Sequence, residues 1–403
     1  MEETVRILIV TQYFYPENFK CNDMAFELKK RGHEVTVLTG IPNYPKGKFF
    51  EGYGAFKKRT EILHGVKVFR TLLIPRGNGG GLRLALNYLS YTFFASLKAI
   101  WVALRYKYDI IIVHEPSPIL VGIPAIIVKK IQRLPIYFWV LDLWPESLTA
   151  AGGINNKRIL HLFGSITRWI YKNSDVLLIG SKGYRISINE KGDFNNKIKY
   201  FPNWVEDTLT LNNSDFDTPN FPSGFNILVA GNMGDAQDLP HIMETMLLLK
   251  GKPINIIFVG DGRKRKYVED FATKNHLENQ IYCFGRYPLE AMPYFFSKTD
   301  VLFMALKDEP IFALTVPSRL QAYMSSGKPI VAMINGEGAA LINEAECGWS
   351  VPAENPHALA SLFELLESTD ESILSEKGQN GKKYSEANFK FARCMDNLES
   401  LFK

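Results

Sequence analysis

The stretch DEPIFALTVPSRLQAYMSSGKP, residues 308–329, joins a short apolar run to an amphipathic segment. The run before it, residues 300–306, has the length and bulk of a buried strand. Pro317 stands directly ahead of Ser318, which we predict to be a helix N-cap, and Arg319 would then lie in the first turn. Free N–H groups, the positive end of the helix dipole and a guanidinium all favour phosphate. The stretch therefore predicts an anion site, with a surface arginine beside an ordinary helix cap as the alternative.

Length and composition indicate an ordinary globular protein of several domains. The chain has 403 residues, which corresponds to two or three domains that each bury a core. Its four cysteines are scattered without CxxC or metal-ligand spacing, as expected for reduced thiols in the cytoplasm. The acidic N-terminus does not resemble a signal peptide, so we expect a cytoplasmic protein.

The charge is distributed unevenly along the chain. Residues 1–200 carry a net charge of +14 and the remainder −9, within a total of +5. A basic half can attract nucleic acid, an anionic membrane surface or a phosphorylated substrate. No nucleic-acid-binding motif accompanies the charge, which favours a membrane or a pyrophosphate as partner.

The first half of the chain predicts a doubly wound parallel sheet. Strand-like apolar runs alternate with helical patterns in most places and occur at residues 5–10, 35–38, 66–69, 110–113, 136–141 and 176–179. The loop after the first run, QYFYPENFKCN, has no GxGxxG signature, which argues against a nicotinamide or flavin enzyme.

One segment of this half, residues 82–107, is dominated by apolar and aromatic side chains with basic residues near both ends. It approaches the length of a membrane span, but polar residues dilute it and strands of one sheet lie on both sides. We predict a long helix that packs on the sheet. The functional alternative is an aromatic face on a membrane interface, with Arg76, Arg83, Arg105 and Lys107 meeting anionic head groups.

Polar residues follow two of the predicted strands. His114 and Glu115 come after one, and Asp142 and Glu146 come after another. Open α/β sheets bind ligands at the carboxyl ends of parallel strands, so these four are candidates to line a cleft. Structural roles stay open for His114, through a backbone hydrogen bond, and for Glu146, at a helix N-terminus.

The second half repeats the pattern after a polar segment at 204–224, which we predict to be a linker. Its strand-like runs are residues 225–230, 254–259, 281–284 and 329–333, and each ends on a glycine or a polar turn. Glycine lets backbone N–H groups approach a ligand closely. Four such turns on one sheet edge indicate a nucleotide-like ligand.

At this level of detail the chain resembles a known family. The motifs GNMGDAQDL, FVGDGR and FGRYPLEAMPYFFSKTDVLF, together with the opening stretch, are similar to the second domain of GT-B glycosyltransferases of family four. TQYFYPEN, VHEPSP and DLWPES resemble the branch that builds bacterial O-antigen, capsule and colanic acid, including N-acetyl-L-fucosamine transferases. The resemblance implies an α/β fold of two Rossmann-like domains facing a central cleft. The expected boundaries are 1–203 for the acceptor-side domain, 225–383 for the nucleotide-sugar domain and 384–403 for a C-terminal helix that returns toward the first.

The resemblance also assigns roles to particular positions. In the family, an E-P-F-G-L loop supplies an acid toward the donor sugar and amides toward its phosphates. Glu309, with Phe312, Ala313 and Leu314, is similar to that loop. The second family acid, which holds the ribose, is Ala322 here, so Gln321 is considered instead.

Other family positions are also altered. The usual Arg and Lys after the first strand of this domain are replaced by a turn that begins Gly231-Asn232, so Arg319 and Arg263 are expected to meet the diphosphate. The Gly285-Arg286-Tyr287 turn resembles the one that holds uracil. Asn18, in the first loop, and Ser318 complete the predicted nucleotide-sugar group. In the first domain Asp142 follows the position where many relatives have a catalytic histidine.

The implied reaction is retaining transfer from a UDP-sugar without metal or other cofactor, because no DxD motif follows a strand. The implied acceptor is a saccharide on a polyprenyl diphosphate at the inner face of the cytoplasmic membrane, where the protein would be peripheral. Asp142, Glu309 and Arg319 are the predicted catalytic residues. Two alternatives stay open: a catalytically silent GT-B subunit that binds nucleotide-sugar, and a UDP-sugar 2-epimerase.

Overall fold

A computed structural model describes residues 4–150, 153–206, 209 and 216–402. The chain forms two compact units, one of Met1–Phe201 with Met395–Lys403 and the other of Pro202–Cys394. Of the predicted linker, residues 207, 208 and 210–215 lie outside the described residues.

The first unit is built on an eight-stranded sheet. Its spatial order is β3-β4-β2-β1-β5-β6-β7-β8, and all neighbours are parallel except β3 and β4. The strands are β1 (Arg6–Val10), β2 (Glu34–Gly40), β3 (Thr60–Leu63), β4 (Val66–Thr71), β5 (Ile110–Glu115), β6 (Ile136–Val140), β7 (Val176–Ile179) and β8 (Ile198–Tyr200).

The helices of this unit connect successive strands. They are α1 (Lys20–Lys30), α2 (Gly81–Arg105), α3 (Gly122–Gln132), α4 (Glu146–Ala150), α5 (Lys157–Asn173) and α6 (Tyr184–Glu190). The C-terminal residues also belong here, because the Glu399 carboxylate accepts from Arg31 Nη1 at 2.5 Å and contacts His33 Nε2 at 2.8 Å.

The second unit has a six-stranded, wholly parallel sheet. Its order is β11-β10-β9-β12-β13-β14, the order of a dinucleotide-binding Rossmann domain. The strands are β9 (Phe225–Ala230), β10 (Ile254–Val259), β11 (Ile281–Gly285), β12 (Val301–Ala305), β13 (Ile330–Met333) and β14 (Gly348–Val351).

Helices connect most of these strands and continue beyond the last one. They are α7 (Leu239–Leu248), α8 (Arg265–Asn275), α9 (Met292–Ser297), α10 (Pro310–Ala313), α11 (Ser318–Ser325), α12 (Glu337–Glu344), α13 (Pro356–Glu367), α14 (Glu371–Asn388) and α15 (Phe391–Glu399). The last of them, α15, begins in the second unit and ends in the first.

Most central strands of the two sheets are buried along their whole length. Every residue of β5, β6, β9, β10 and β12 is buried, which agrees with continuous apolar runs rather than alternation. The strand order of each sheet reverses at its first strand, between β1 and β5 in one unit and between β9 and β12 in the other. Ligands of such sheets bind outside the carboxyl ends at this point, so the fold places one candidate site in each unit.

The predicted fold class is confirmed: the chain has two parallel-sheet, Rossmann-like α/β units. The predicted packing of residues 82–107 is also correct, because α2 contacts β2, β4 and α3. No helix within the described ranges is long and apolar enough to cross a membrane.

Two local predictions need correction. Ser318 is not an N-cap but the first residue of α11. Pro317, extended at φ −65° and ψ 134°, holds the cap position, and its carbonyl accepts from Leu320 N at 2.9 Å. His114 and Glu115 do not follow the strand, because β5 continues through both of them.

Candidate active site

The carboxyl edge of the second sheet is built from glycine turns. Gly231 follows β9 with φ +113°, and Gly260 follows β10 with φ +150°. A Cβ on Gly260 would lie 1.9 Å from the carbonyl oxygen of Gly231, so only glycine permits this approach. Gly231 N donates to Val259 O at 2.8 Å, and Gly260 N donates to Gly285 O at 2.7 Å. These bonds hold three successive strand ends in one continuous edge.

A cavity of about 470 Å³ opens over this edge. This volume lies within the usual range of about 300–1,000 Å³ for small-molecule sites. Its lining combines glycine turns, one guanidinium, one carboxylate, one amide, one phenol and apolar side chains: Gly231, Asn232, Val259, Gly260, Asp261, Arg286, Tyr287, Leu289 and Met292. Four of the predicted nucleotide-sugar residues, Gly231, Asn232, Arg286 and Tyr287, therefore meet in one cavity.

Arg319 lies against the same turns. Its Nη2 donates to Asn232 O at 3.3 Å, and a Cβ on Gly231 would come within 2.9 Å of that nitrogen. The positive φ of Gly231, rather than this contact with a flexible side chain, favours glycine at position 231. Arg319 belongs to the first turn of α11, where the backbone N–H groups have no helical carbonyl four residues earlier to accept their hydrogen bonds. The Arg319 guanidinium therefore lies against two residues that line the cavity, Gly231 and Asn232.

The loop after β12 holds another group of predicted residues. Glu309 is exposed and precedes α10, and Phe312 and Ala313 donate their N–H groups to its carbonyl at 2.9 and 3.2 Å. Gly336 packs so closely on this loop that a Cβ there would lie 1.9 Å from Ala313 O. Leu314 is half-buried beside them. The predicted E-P-F-G-L-like residues stand together, although they do not line the cavity.

Other predicted residues are placed apart from the cavity. Arg263 and Ser318 are exposed, and Gly285 is buried next to Arg286. Gln321 is 2% exposed, and its Oε1 has no hydrogen-bond partner among the described residues. A buried amide cannot reach a ribose without movement of α11, so the structure gives no support to Gln321 as the replacement for the family acid.

In the first unit, acidic groups collect below the carboxyl edge of the sheet. Glu115 is fully buried, and its Oε2 accepts from Asp142 N at 3.3 Å. Burial and the neighbouring Asp142 carboxylate raise the pKa of Glu115 well above its usual range. Its surroundings therefore favour the uncharged form of Glu115. Asp142 accepts from the hydroxyl of Ser147, and burial raises its pKa despite hydrogen bonds that lower it.

Two further candidates of this unit have structural partners. His114 is 1% exposed, and its Nδ1 lies 3.0 Å from Thr11 Oγ1. Burial lowers the pKa of His114 to about 3, so the imidazole is neutral. The Oε1 of Glu146 accepts from Ser187 Oγ at 2.7 Å and from Lys191 Nζ at 2.6 Å. His114 and Glu115 are buried, whereas Asp142 and Glu146 are half-buried. Because Glu146 is paired with Lys191, Asp142 is the more available acid.

The loop after β1 holds an acid that the sequence reasoning missed. The Oε1 of Glu17 accepts from the N–H groups of Asn43 and Tyr44, each at 2.7 Å. Burial raises the pKa of Glu17 to about 7, because it outweighs these hydrogen bonds. Its neighbour Asn18, which was predicted to bind nucleotide-sugar, is exposed. Glu17 lies in the QYFYPEN loop after β1, but the sequence of that loop does not indicate that its side chain is buried.

An aromatic cluster surrounds this loop. The rings of Tyr13 and Phe19 are stacked at 4.9 Å, and Tyr44 lies 5.7 Å from Tyr13. The guanidinium of Arg76 lies 4.9 Å from the Tyr44 ring, and its Nη1 donates to Tyr13 Oη at 3.3 Å. Aromatic faces beside a cation suit a sugar with an attached phosphate.

The two units and their sites define a class of protein: an α/β protein with a cavity on the glycine edge of one Rossmann-like unit and a shielded acid in the other. Residues 213–384 match the family "Glycosyl transferases group 1", and residues 21–209 match "Glycosyltransferase Family 4". The chain belongs to the GT-B glycosyltransferases of family 4/group 1.

Relatives agree with this assignment. The chain is 28% identical over 346 residues to the "probable glycosyltransferase" WbjE of Pseudomonas aeruginosa, covering 81% of this chain and 84% of that protein. It is 24% identical over 316 residues to WcaI of Escherichia coli, a glycosyl transferase named for colanic acid biosynthesis, with 76% of each chain covered.

Solved structures share the fold at low sequence identity. A sucrose-phosphate synthase from Thermosynechococcus elongatus superposes with a TM-score of 0.73 at 14% identity, over 99% of this chain and 98% of that one. Anabaena Alr3699/HepE, in complex with UDP, gives a TM-score of 0.68 at 14% identity, over 98% and 99% of the two chains.

Proposed function

We propose that this glycosyltransferase is a retaining enzyme that moves a sugar from a UDP-sugar to a lipid-linked saccharide in bacterial surface polysaccharide synthesis. The observation that carries the proposal is the 470 Å³ cavity, where Asn232, Arg286 and Tyr287 meet two positive-φ glycines beside Arg319. Structures of Alr3699/HepE with UDP and with UDP-glucose support a donor of this class. The name of WcaI supports polysaccharide synthesis as the process.

The second unit would bind the donor through its nucleotide. The turn of Arg286 and Tyr287 offers a ring and a cation to the base. Arg319 and the N-terminus of α11 would stabilise the charge that develops on the departing diphosphate. Glu309, exposed on the loop before α10, would accept hydrogen bonds from sugar hydroxyls.

In the proposed reaction, the bond between the anomeric carbon and the diphosphate oxygen breaks. The acceptor oxygen bonds to that carbon on the same face. The acceptor proton passes to the departing phosphate, so UDP leaves as the second product. Asp142 would hold a reacting hydroxyl, and the N–H of its own backbone is fixed by Glu115. No step uses a metal, so we expect transfer to persist in EDTA.

The proposed donor is UDP-N-acetyl-L-fucosamine or a related N-acetylated deoxy-sugar, and the proposed acceptor carries a polyprenyl diphosphate. The enzyme would be peripheral at the inner face of the cytoplasmic membrane. These finer assignments rest on the motifs shared with the O-antigen, capsule and colanic acid branch.

A single assay tests the reaction. Purified protein is incubated with UDP-sugars and a lipid-linked saccharide, and UDP release and product mass are measured together. We expect stoichiometric transfer, with Asp142→Asn lowering kcat at least roughly a hundredfold while the Kd for UDP stays within about twofold. Equal kcat in Asp142→Asn would exclude the acid from the reaction.

One observation favours a catalytically silent subunit as the second candidate. Ala322 stands where the family has its ribose-binding acid, and Gln321 beside it is buried. Tight UDP-sugar binding without transfer or hydrolysis would support that candidate over the enzyme.

A further inference from the structure

The outer face of α2 carries a continuous stripe of large apolar side chains. The seven residues recur every three or four positions and are all exposed: Leu82, Leu86, Leu89, Phe93, Leu97, Ile100 and Leu104. Leu82 is 79% exposed, Phe93 60% and Leu104 73%. At 1.5 Å per residue the stripe is about 33 Å long. We refer to these seven residues as the α2 stripe.

The stripe is not needed to attach α2 to its own sheet. The buried face of the helix is made largely of small residues, with Ala95, Ala99 and Ala103 beside Tyr91. These let α2 approach β2, β4 and α3 closely, so its large side chains point away from the core. Exposed apolar surface of this extent marks an interaction site on a folded protein.

The segment of the chain that contains α2 is rich in basic residues. Between positions 52 and 108 the chain has ten Lys and Arg residues and a single acid, Glu61. The carboxylate of Glu61 accepts from Arg70 Nε at 2.7 Å and is already neutralised. The helix α2 itself contains no Asp or Glu.

A basic turn with an exposed aromatic ring extends this surface. Phe56 is 98% exposed and is followed by Lys57, Lys58 and Arg59. Arg59 lies close enough to Lys98 of α2 to lower the pKa of that ammonium, after the larger effect of burial. The turn at 56–59 therefore belongs to the same basic surface as the middle of α2.

Trp101 lies beside the stripe and joins apolar and basic groups. It is 44% exposed, and Lys98 Nζ lies 3.6 Å from its ring centroid. A half-exposed Trp beside cations is typical of side chains at the boundary between lipid head groups and acyl chains.

We propose that the α2 stripe and the Phe56 turn dock this chain on an anionic lipid bilayer. The stripe would enter the acyl boundary parallel to the membrane plane, and the surrounding Lys and Arg side chains would bind anionic head groups. A second copy of the chain fits less well, because two such surfaces bring the same positive charges together. This surface would account for the proposed peripheral membrane location. The evidence for it is the exposure and charge of α2 and the Phe56 turn, not the transferase chemistry.

Vesicle sedimentation tests this docking surface with the full chain. We expect the wild type to pellet with phosphatidylcholine vesicles that contain one third phosphatidylglycerol, and much less with phosphatidylcholine alone. Phe93→Gln combined with Leu97→Gln should weaken partition roughly tenfold or more, because two exposed side chains lose their transfer into the acyl boundary. Lys57→Gln with Lys58→Gln should weaken it by a similar factor, and only on anionic vesicles.

Matched controls keep the result specific. Leu248→Gln with Leu365→Gln removes two exposed leucines, 44% and 61% exposed, from α7 and α13 of the second unit and should leave partition unchanged. All variants should unfold at the wild-type temperature, since each side chain is exposed.

Three outcomes would overturn the proposal: a wild type that stays in the supernatant, a stripe variant that binds as strongly as wild type, or a wild-type dimer that the stripe variant converts to a monomer. Since no nucleotide is present, failure here leaves the result for UDP binding untouched.

Discussion

The two sheets end on edges of opposite construction. In the second unit the edge consists of positive-φ glycines, and the side chains of Asn232 and Arg286 are exposed around a cavity. In the first unit, Glu115 and His114 lie inside the strand end with 0% and 1% exposure, and Asp142 is half-buried above them. One edge presents backbone and permanent charge, whereas the other shields groups that titrate.

This difference assigns different tasks to the two units. An edge of backbone groups and guanidinium keeps its charge between pH 5 and 9, so nucleotide binding there should depend weakly on ionisation of the protein. Buried carboxyl groups change charge when the pH or their surroundings change. We therefore expect a change of pH to affect mainly the first unit, whereas ligand binding by the second unit should depend on the shape of its glycine edge.

The largest expected effect comes from adding one methyl group to the glycine edge. Gly260→Ala places Cβ on the Gly231 carbonyl, and the backbone of two strand ends would have to separate. We expect the free energy of unfolding of the second unit, measured by urea denaturation, to fall by about 3 kcal/mol.

Gly251→Ala is the matched control for this substitution. Gly251 also has positive φ, at +82°, but no heavy atom lies within 4 Å of its Cβ position. It should cost only about 1 kcal/mol, the intrinsic penalty of the backbone conformation. Equal losses in the two variants would show that close approach at the edge does not matter.

The next effect concerns the cation beside the cavity. Arg319→Ala should weaken UDP binding roughly tenfold, because a charge-assisted contact to the diphosphate is lost. Arg263→Ala, which removes an exposed arginine from the turn after β10, should change the Kd by only about twofold. Calorimetric titration of both variants ranks the two arginines. A larger loss for Arg263→Ala would reverse our assignment of the diphosphate contact.

A further prediction separates the two edges by pH. The pKa of Glu115 is raised in the folded protein, so its stabilising contribution is present below its ordinary pKa and is lost as the pH rises above it. The free energy of unfolding should therefore fall by up to about 1.4 kcal/mol per pH unit, in proportion to the fraction of Glu115 that is ionised in the unfolded chain. Glu115→Gln, which stays neutral, should remove this slope from urea-denaturation measurements between about pH 5 and 8.

His114 has the opposite dependence and serves as an internal check. Its pKa is lowered to about 3, so the stability that it contributes is lost as the pH falls below its ordinary value. Both proteins retain His114, so this contribution cancels in their difference. A pH profile of Glu115→Gln that parallels the wild type would mean that Glu115 is ionised in the folded protein.

Much of the fold could be predicted because buried parallel strands are apolar throughout. The runs 225–230 and 254–259 match β9 and β10 residue for residue, since a glycine turn follows each. The strands β3, β8 and β14 were missed. They are short edge strands, and β14 is only half-buried, so neither continuous apolarity nor clean alternation marks them.

The candidate site could be predicted only where its signal is local. Gly231, Asn232, Arg286 and Tyr287 follow strands directly, and the sheet brings them together. Met292 and Leu289 enter the cavity from a helical segment whose sequence reads as ordinary core.

Burial accounts for the sites that were placed incorrectly. His114 and Glu115 pair with Trp139 and Val140 of β6, so hydrogen bonding extends β5 past the last apolar residue. The sequence of β5 alone does not predict how far its pairing with β6 extends.

Titration of UDP into the full chain by calorimetry, in the presence of EDTA, tests the account most directly. We predict measurable binding of one UDP per chain. This binding should be lost in Gly260→Ala and retained in Gly251→Ala. An absence of measurable binding, or equal binding by both glycine variants, would contradict a nucleotide site on the glycine edge of the second unit.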